Sequence, residues 1–415
     1  MSRPSILFVC AGVPAPPFTG AAQRNHLFYE SLRKIGDVTT VAIAEPRKVV
    51  SDEAKASLRE SHNVADFLEA LEMGETGLFK LIHGFNPRRV EYLARGIGDA
   101  DREYVPQKHL FEVVSDIVHR ENIDLIVGRY ANVLGKTGAL DLAPTLLDVD
   151  DLQTEMIERS IAGARGKGIP LLLQKRRLAR LRSKLPVHFR RYAGRWIANE
   201  SHRSFEGLED ATVLPNIPYA SYERPDLDPT PADPENRTLL FVGSLSHNPN
   251  VFGLERFLAA SWPAVRERVP DAKLLIVGSG NIEAVKRKTG EPEGVEFRGL
   301  VEDIADAYSE TAATVVPIHS GSGTNIKVAE TYYFGRAAVV SAFALRGYDH
   351  ALKDGTSVLS GHDDAQLAES CVRLLREPEL RDSLACQGRK AILEQYSFDV
   401  FSKRVGELAT KALAG

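Results

Sequence analysis

A loop rich in glycine and serine, residues 320–325, precedes the residues best suited to chemistry. A helical pattern starts at Ile326, and the free N–H groups of such a loop and of a helix N-terminus favour an anion. Lys327 falls in the first turn, where an ammonium can neutralise a diphosphate. Glu330 falls three residues later on the same face, where a carboxylate can hold a vicinal diol. The alternative is a surface ion pair between the two. The loop positions that would meet the anion are Ser322, Gly323, Thr324 and Asn325.

Two other loops follow apolar runs. In the second half of the chain, a run ending at Val242 is followed by Gly243 and Ser244. Near the N-terminus, Gly20 and Ala21 open a helical pattern, and Arg24 lies one turn further. A glycine permits close backbone approach and the first helical turn favours an anion, which Arg24 can reach unless it pairs with a carboxylate. The alternative is an ordinary strand-to-helix turn.

Carboxylates follow another apolar run, at Asp148, Asp150 and Asp151. At the end of a buried strand, such groups can accept a proton or hydrogen-bond hydroxyl groups. The alternative is a cap for the helix that begins after Leu152, because aspartate is favoured there.

Short apolar runs alternate with helical patterns along the whole chain, which predicts parallel sheets buried on both faces. The predicted strands are Ile6–Cys10, Val38–Ala44, Ile123–Val127, Thr145–Val149, Thr238–Val242, Lys273–Val277, Val295–Arg298, Thr314–Ile318 and Ala338–Ser341. A proline-rich stretch, residues 225–234, can be neither a helix nor a central strand. We therefore expect an α/β protein with two tandem Rossmann-like, doubly wound domains facing across a cleft. The predicted bounds are an N-terminal domain at 1–222, a linker at 223–236, a second domain at 237–395 and a C-terminal helix at 396–415 that crosses back to the first domain.

Composition narrows the class of protein. The chain has 415 residues, a net charge of −4 and three cysteines without metal-ligand spacing. It contains no apolar run of the roughly 18–20 residues that span a bilayer, and the apolar run after Met1 is too short for a signal peptide. The sequence therefore predicts a cytoplasmic protein with free thiols and no metal site.

One segment is strongly basic. Residues 159–195 contain twelve Lys or Arg and no Asp or Glu. Leu171, Leu178, Leu181 and Leu185 fall on one helical face within it. An apolar stripe with basic flanks suits an anionic membrane surface, so peripheral attachment at the inner membrane face is one expectation. A helix that buries its leucines in the core is the other. Nucleic acid is not expected, because aromatic residues are not interleaved.

The second half resembles the donor domain of a GT-B fold glycosyltransferase, specifically the retaining family four, or glycosyl transferases group 1. The resemblance is strongest over residues 238–345 and rests on Phe241-Val242-Gly243, Trp262-Pro263, Phe297-Arg298-Gly299, Gly323 through Glu330, and Val339-Val340-Ser341. In the N-terminal half, Thr19-Gly20-Ala21 with Arg24 and Val213-Leu214-Pro215-Asn216 also match.

The resemblance implies an enzyme that moves a sugar from a nucleotide-diphosphate sugar, with UDP-sugar preferred and no further cofactor. The acceptor would be a saccharide or lipid-linked saccharide, with retention, in cell-envelope polysaccharide or glycolipid synthesis. Glu330 would bind the ribose, Lys327 and the loop at Gly20, Ala21 and Arg24 the diphosphate, and the backbone of Leu300 and Val301 the base. Gly243, Ser244 and residues 322–325 complete the donor site, and Lys327, Asp150 and Asp151 are the catalytic candidates.

The chain departs from the family pattern at several positions. Ser322 stands in place of the first glutamate of the Glu-x7-Glu motif, and Ser244 in place of an arginine. The family's Lys-Gly pair is replaced by Pro249-Asn250, and Gly128-Arg129-Tyr130 stands where a histidine is expected. These changes leave two alternatives open: a sugar-nucleotide-binding protein without catalysis, and a sugar-nucleotide epimerase of the same fold.

Overall fold

The computed structural model describes residues 3–15, 19–44, 50–69, 104–150, 152–163, 168–321 and 324–415. Contacts between Cα atoms divide the chain into two compact units. The first unit is Met1–Leu214 with Phe401–Gly415, and the second is Pro215–Val400.

The first unit is built on a seven-stranded parallel sheet. Its strands are β1 (Ser5–Ala11), β2 (Asp37–Ala44), β3 (Val64–Glu69), β4 (Leu125–Arg129), β5 (Thr145–Asp148), β6 (Gly194–Ile197) and β7 (Thr212–Val213), in the order β3-β2-β1-β4-β5-β6-β7. Its helices up to residue 214 are α1 (Gly20–Arg33), α2 (Asp52–His62), α3 (Lys108–Arg120), α4 (Ala131–Thr137), α5 (Gln153–Gly163) and α6 (Ile169–Phe189). Thr19 caps α1 by accepting a hydrogen bond from the N–H of Ala22 at 3.2 Å.

The second unit repeats this plan around a six-stranded parallel sheet. Its strands are β8 (Thr238–Val242), β9 (Lys273–Val277), β10 (Val295–Gly299), β11 (Ala313–Val316), β12 (Ala337–Ser341) and β13 (Leu359–Gly361), in the order β10-β9-β8-β11-β12-β13. Its helices are α7 (Ala220–Glu223), α8 (Asn248–Arg256), α9 (Trp262–Arg268), α10 (Ile282–Thr289), α11 (Ile304–Ser309), α12 (Ile326–Tyr333), α13 (Asp364–Arg376) and α14 (Pro378–Tyr396). A last helix, α15 (Phe398–Ala414), runs into the residues assigned to the first unit, where Phe401 packs edge-on against Phe28 at 5.4 Å.

The predicted α/β class with two doubly wound parallel sheets is confirmed. Strands β8 and β9 have the predicted bounds, and the other predicted strands differ by one or two residues at an end. Strands β3, β6, β7 and β13 were not predicted. Strand β6 carries Arg195, which is buried and donates to the carbonyl of Phe189 at 2.7 Å. A basic residue in a four-residue strand hides the apolar pattern on which the prediction depended.

The predicted linker differs from the structure in its bounds. The contact boundary falls after Leu214, and the proline-rich segment lies against the second unit. Three arginines of that unit hold it, because their guanidinium groups donate to its carbonyls: Arg389 to Leu227 at 2.5 Å, Arg336 to Thr230 at 2.8 Å and Arg381 to Asp233 at 3.0 Å. The segment is therefore bound along its length.

The three cysteines and the apolarity of the helices can also be compared with the sequence expectations. Cys10 and Cys371 are buried and free as expected, whereas Cys386 is exposed. Among the described helices, none is long and apolar enough to cross a membrane.

Candidate functional site

Lys327 of helix α12 lies at the carboxyl end of strand β8. Helix α12 follows β11, the neighbour of β8 in the sheet, so its first turn starts beside the end of β8. The Lys327 ammonium donates to the Oδ1 of Asn250 at 2.7 Å and lies 5.3 Å from the centre of the Phe241 ring. Among the described residues, no carboxylate is within ion-pairing distance of this ammonium. Burial lowers the pKa of Lys327 to about 8, opposed by the charge of Glu330.

Gly243 makes room for this arrangement. A Cβ atom at this position would lie 2.8 Å from both the Nζ of Lys327 and the Nδ2 of Asn250. Asn250, in turn, donates from Nδ2 to the carbonyl of Ser244 at 3.0 Å. The end of β8, the start of α8 and the first turn of α12 thus meet around one ammonium group.

Glu330 lies one turn further along α12. Its Oε2 accepts a hydrogen bond from the hydroxyl of Tyr308 at 3.1 Å, and the Tyr308 ring stacks on Phe334 at 4.6 Å. Burial raises the pKa of Glu330, opposed by the Tyr308 hydrogen bond and by the charge of Lys327. Lys327 and Glu330 are each bonded to another residue in a partly buried setting, so the surface ion pair considered from the sequence is wrong.

The other predicted donor-site residues of the second unit fall into three groups. Leu300 follows strand β10 and is 80% exposed, and Val301 packs beside the core cluster that contains Tyr308. Thr324 and Asn325 lie directly before α12 and are partly exposed. Ser322 and Gly323 lie outside the described residues.

In the first unit, Asp148 is the centre of a buried charge network. Arg24 holds both of its oxygens, through Nε at 2.8 Å and Nη2 at 2.6 Å, and Arg129 donates from Nε at 2.9 Å. Arg24 is 2% exposed, and Asp148 and Arg129 are fully buried. From the sequence, the expected partner of Arg24 is a diphosphate or a carboxylate, and in the structure its partner is the Asp148 carboxylate. Because the Arg24 guanidinium is buried and bound to Asp148, its assignment to the donor diphosphate is wrong.

Asp150 continues the network outward. It accepts hydrogen bonds from Arg129 at 2.6 Å and from the Tyr130 hydroxyl at 3.1 Å. Both Asp150 and Tyr130 have positive φ, 54° and 64°, which is uncommon for residues other than glycine. A carboxylate committed to an arginine loses an ion pair when it takes a proton, so Asp150 is better suited to accepting a hydroxyl hydrogen bond than to acting as a base. Asp151 lies outside the described residues. Gly20 and Ala21 are exposed in the first turn of α1, and the Ala21 carbonyl accepts from Arg129 at 2.9 Å.

The basic helix α6 has two different halves. Leu181 and Leu185 are buried in the core of the first unit, as expected for a helix that packs its leucines against the core. Near its start, Leu172 and Leu173 are 51% and 48% exposed, beside the exposed basic residues Lys175, Arg176 and Arg177. Leu171 and Leu178 are partly buried, so the exposed apolar surface is not the predicted stripe.

Sequence reasoning missed Asn250 and Tyr308 as partners of the two central residues. Asn250 is only 8% exposed although it follows a proline in a polar segment, and Tyr308 lies near the end of the short helix α11. No signal in the sequence pairs these residues with α12, because both contacts join distant segments.

Comparison with known proteins finds similarity to glycosyltransferases. Residues 236–377 match the model of the family described as glycosyl transferases group 1. A phosphatidyl-myo-inositol mannosyltransferase of Mycolicibacterium smegmatis is 29% identical over 203 residues, which cover 47% of this chain and 50% of the relative. A protein of the same name from Mycobacterium leprae is 30% identical over 174 residues, 41% of this chain and 45% of the relative. The chain thus spans about half the length of the curated relatives that it matches.

Solved structures resemble the whole chain. A glycosyltransferase from Rickettsia africae has a TM-score of 0.62 at 12% identity, covering 100% of this chain and 99% of its own. A sucrose-phosphate synthase from Thermosynechococcus elongatus has a TM-score of 0.64 at 14% identity, covering 99% and 100%. At these identities the likeness shows the fold, which is GT-B. The chain therefore has the GT-B fold, and its residues 236–377 match the glycosyl transferases group 1 model.

Proposed function

We propose that this protein is a glycosyltransferase that moves a sugar from a nucleotide-diphosphate sugar to a saccharide or lipid-linked acceptor, with retention. The observation that carries the proposal is the Lys327 ammonium at the end of β8, held by a neutral amide and followed one turn later by Glu330. An ammonium with a neutral partner keeps its charge available to an anion, and the carboxylate suits the ribose diol.

The donor site acts by electrostatic stabilisation of the leaving group. As the bond between sugar and diphosphate breaks, negative charge grows on the diphosphate, and a pre-positioned ammonium and main-chain N–H groups stabilise that charge. Lys327 supplies the ammonium, and the residues before α12 supply the N–H groups. Tyr308 holds one oxygen of Glu330, which orients the carboxylate toward the ribose. No cofactor beyond the donor is required by this scheme.

On the acceptor side, the Asp150 carboxylate accepts a hydrogen bond from the incoming hydroxyl and orients it. Arg129 and Tyr130 fix this carboxylate, so its position is set before the acceptor binds. A retaining reaction on one face of the sugar needs no strong protein nucleophile. The acceptor oxygen bonds to the anomeric carbon on the face that the diphosphate leaves, and its proton passes to the departing diphosphate oxygen, so Asp150 only orients the hydroxyl.

The acceptor is lipid-linked or lies at a membrane surface, in cell-envelope polysaccharide or glycolipid synthesis. The relatives named as phosphatidyl-myo-inositol mannosyltransferases support a lipid acceptor. The exposed leucines and basic residues at the start of α6 suit an anionic membrane face. The sequence leaves the donor base open with a preference for uridine, and one relative from Corynebacterium glutamicum is named as GDP-mannose-dependent. UDP and GDP are therefore both tested.

Replacement of Glu330 by alanine tests the ribose assignment. We expect Glu330→Ala to weaken binding of the preferred nucleoside diphosphate about 10- to 100-fold, the cost of one or two hydrogen bonds to a charged group. The same variant should bind the 2′,3′-dideoxy nucleotide as well as the wild type does, because that ligand lacks the diol. Isothermal titration calorimetry with both ligands measures this difference.

Glu267→Ala is the matched control, because Glu267 is an exposed glutamate on α9 of the same unit. Equal affinity of the wild type and Glu330→Ala for the ribonucleotide would overturn the ribose role. Release of nucleoside diphosphate from its sugar, measured with and without lipid extract as acceptor, then separates transfer from binding without catalysis.

A further inference from the structure

Asn250 makes three contacts that join the parts of the donor site. Its side chain accepts from Lys327 at 2.7 Å and donates to the Ser244 carbonyl at 3.0 Å, and its N–H donates to the His247 carbonyl at 3.0 Å. It is 8% exposed. Only the oxygen of an amide can accept from an ammonium, and the Nδ2 hydrogen bond to the Ser244 carbonyl fixes the amide with its oxygen toward Lys327.

The groups that face Lys327 come from several elements. Glu330 lies on the same helix, His247 comes from the loop before α8, and the Phe241 ring comes from β8. Burial and the charge of Lys327 both lower the pKa of His247, so this imidazole is neutral at pH 7 and above. Within the described part of the chain, the Lys327 ammonium thus has a neutral imidazole nearby, and its direct hydrogen-bond partner is the uncharged amide of Asn250.

We propose that Asn250 is the positioning residue of the diphosphate site: its neutral amide oxygen holds the Lys327 ammonium in place and leaves the charge of that ammonium to the ligand. The inference rests on the proposed function and identifies what prepares the site for a nucleoside diphosphate. A carboxylate at position 250 would hold the ammonium equally well but would neutralise it. Charge neutrality at this position, and not merely a hydrogen bond, is what the site needs.

Asn250→Asp tests this requirement, with Asn248→Asp as its control. Asn248 is exposed two residues earlier in α8, so the control adds the same charge to the same helix without touching Lys327. We expect Asn250→Asp to weaken binding of UDP or GDP at least tenfold and Asn248→Asp to change it less than about threefold. Asn250→Ala, which loses the positioning but not the charge, should lie between them. Thermal unfolding of each variant verifies that it is folded.

The pH dependence separates positioning from a general structural effect. In the wild type, affinity should fall as pH rises through about 8, where Lys327 loses its proton. In Asn250→Asp, the new carboxylate raises the pKa of Lys327, so the fall should move upward by about one pH unit or more. Asn250→Ala should keep its fall near that of the wild type. Calorimetry at pH 8 in buffers of different ionisation enthalpy should show uptake of about half a proton on binding in the wild type, and less in Asn250→Asp.

Two results are decisive against the inference. If the wild type binds UDP or GDP and Lys327→Ala weakens that binding, but Asn250→Asp matches Asn248→Asp in affinity and pH profile, Asn250 has no positioning role and the proposed function stands. If neither nucleotide binds the wild type, both proposals are wrong.

Discussion

At the end of strand β8, the absence of one side chain matters as much as the residues around it. Gly243 is the position where a methyl group would meet the Lys327 ammonium and the Asn250 amide together. Both atoms are the ends of flexible side chains and can move aside at small cost. The space at Gly243 is thus required by the diphosphate site more than by the fold.

Gly243→Ala should therefore reduce nucleotide affinity with little loss of stability. We expect roughly tenfold weaker binding of UDP or GDP and a change of unfolding free energy within about 1 kcal/mol. Gly406→Ala is the control, because a Cβ atom there meets nothing within 4 Å. Titration calorimetry and urea denaturation give the two quantities, and a variant that unfolds easily but binds normally would contradict this account.

At the scale of elements, Asp148 connects strand β5 to helix α1 and strand β4. Arg24 from α1 and Arg129 from β4 both bind it in a setting closed to solvent. Arg24 also donates to the carbonyl of Leu214, the last residue before the contact boundary. Buried charges of this kind are costly unless all partners are present.

Asp148→Asn should destabilise the first unit by about 3–5 kcal/mol, because Arg24 would lose the carboxylate that both its Nε and Nη2 bind, and Arg129 would keep only Asp150 as a counter-charge. The exposed ion pair of Glu158 with Arg182, at 2.7 Å, gives the comparison. Glu158→Gln should cost less than about 1 kcal/mol, since water already solvates that pair. Urea denaturation followed by tryptophan fluorescence measures both, because Trp196 lies in β6 of the same unit. Equal costs for the two variants would argue against a central role for Asp148.

At the scale of the whole molecule, the two units carry different candidate surfaces. The ammonium and carboxylate of the donor site belong to the second unit, and the exposed leucines of α6 belong to the first. In the proposed function, the donor site of the second unit binds the nucleotide sugar, and the exposed leucines of α6 bring the enzyme to the membrane that holds its acceptor.

The Leu172→Ser/Leu173→Ser double variant tests the membrane role of α6. We expect the wild type to bind vesicles of phosphatidylcholine with phosphatidylglycerol more tightly than phosphatidylcholine alone, and less tightly as salt rises. The double variant should bind the anionic vesicles roughly tenfold or more weakly, because burying each leucine contributes about 1.5–3 kcal/mol at most. Val187→Ser is the control, since Val187 is 64% exposed on the other half of α6. Vesicle sedimentation measures binding, and a wild type that ignores lipid charge would contradict the prediction.

Local pattern was enough for much of the architecture. Strands β8 and β9 were predicted to the residue, because a run of buried apolar residues is visible without knowledge of its neighbours. The same holds for Lys327 and Glu330, whose common face follows from helical spacing alone. Strand β6 was not predicted, because it contains Arg195. This arginine can be buried only because it donates a hydrogen bond to the Phe189 carbonyl, and the apolar pattern does not show that contact.

Two parallel α/β domains, a glycine-rich loop and the two charged residues after it could be predicted from apolar pattern and loop composition. Their partners became apparent only in the folded chain, where Asn250 contacts Lys327, 77 residues away, and Arg24 contacts Asp148, 124 residues away. The physical reason is that apolar periodicity is a local property of the chain. Whether two distant polar side chains meet depends on the order of the strands that carry them. Here β8 lies beside β11, and β1 lies between β2 and β4. That order is set by contacts between distant segments.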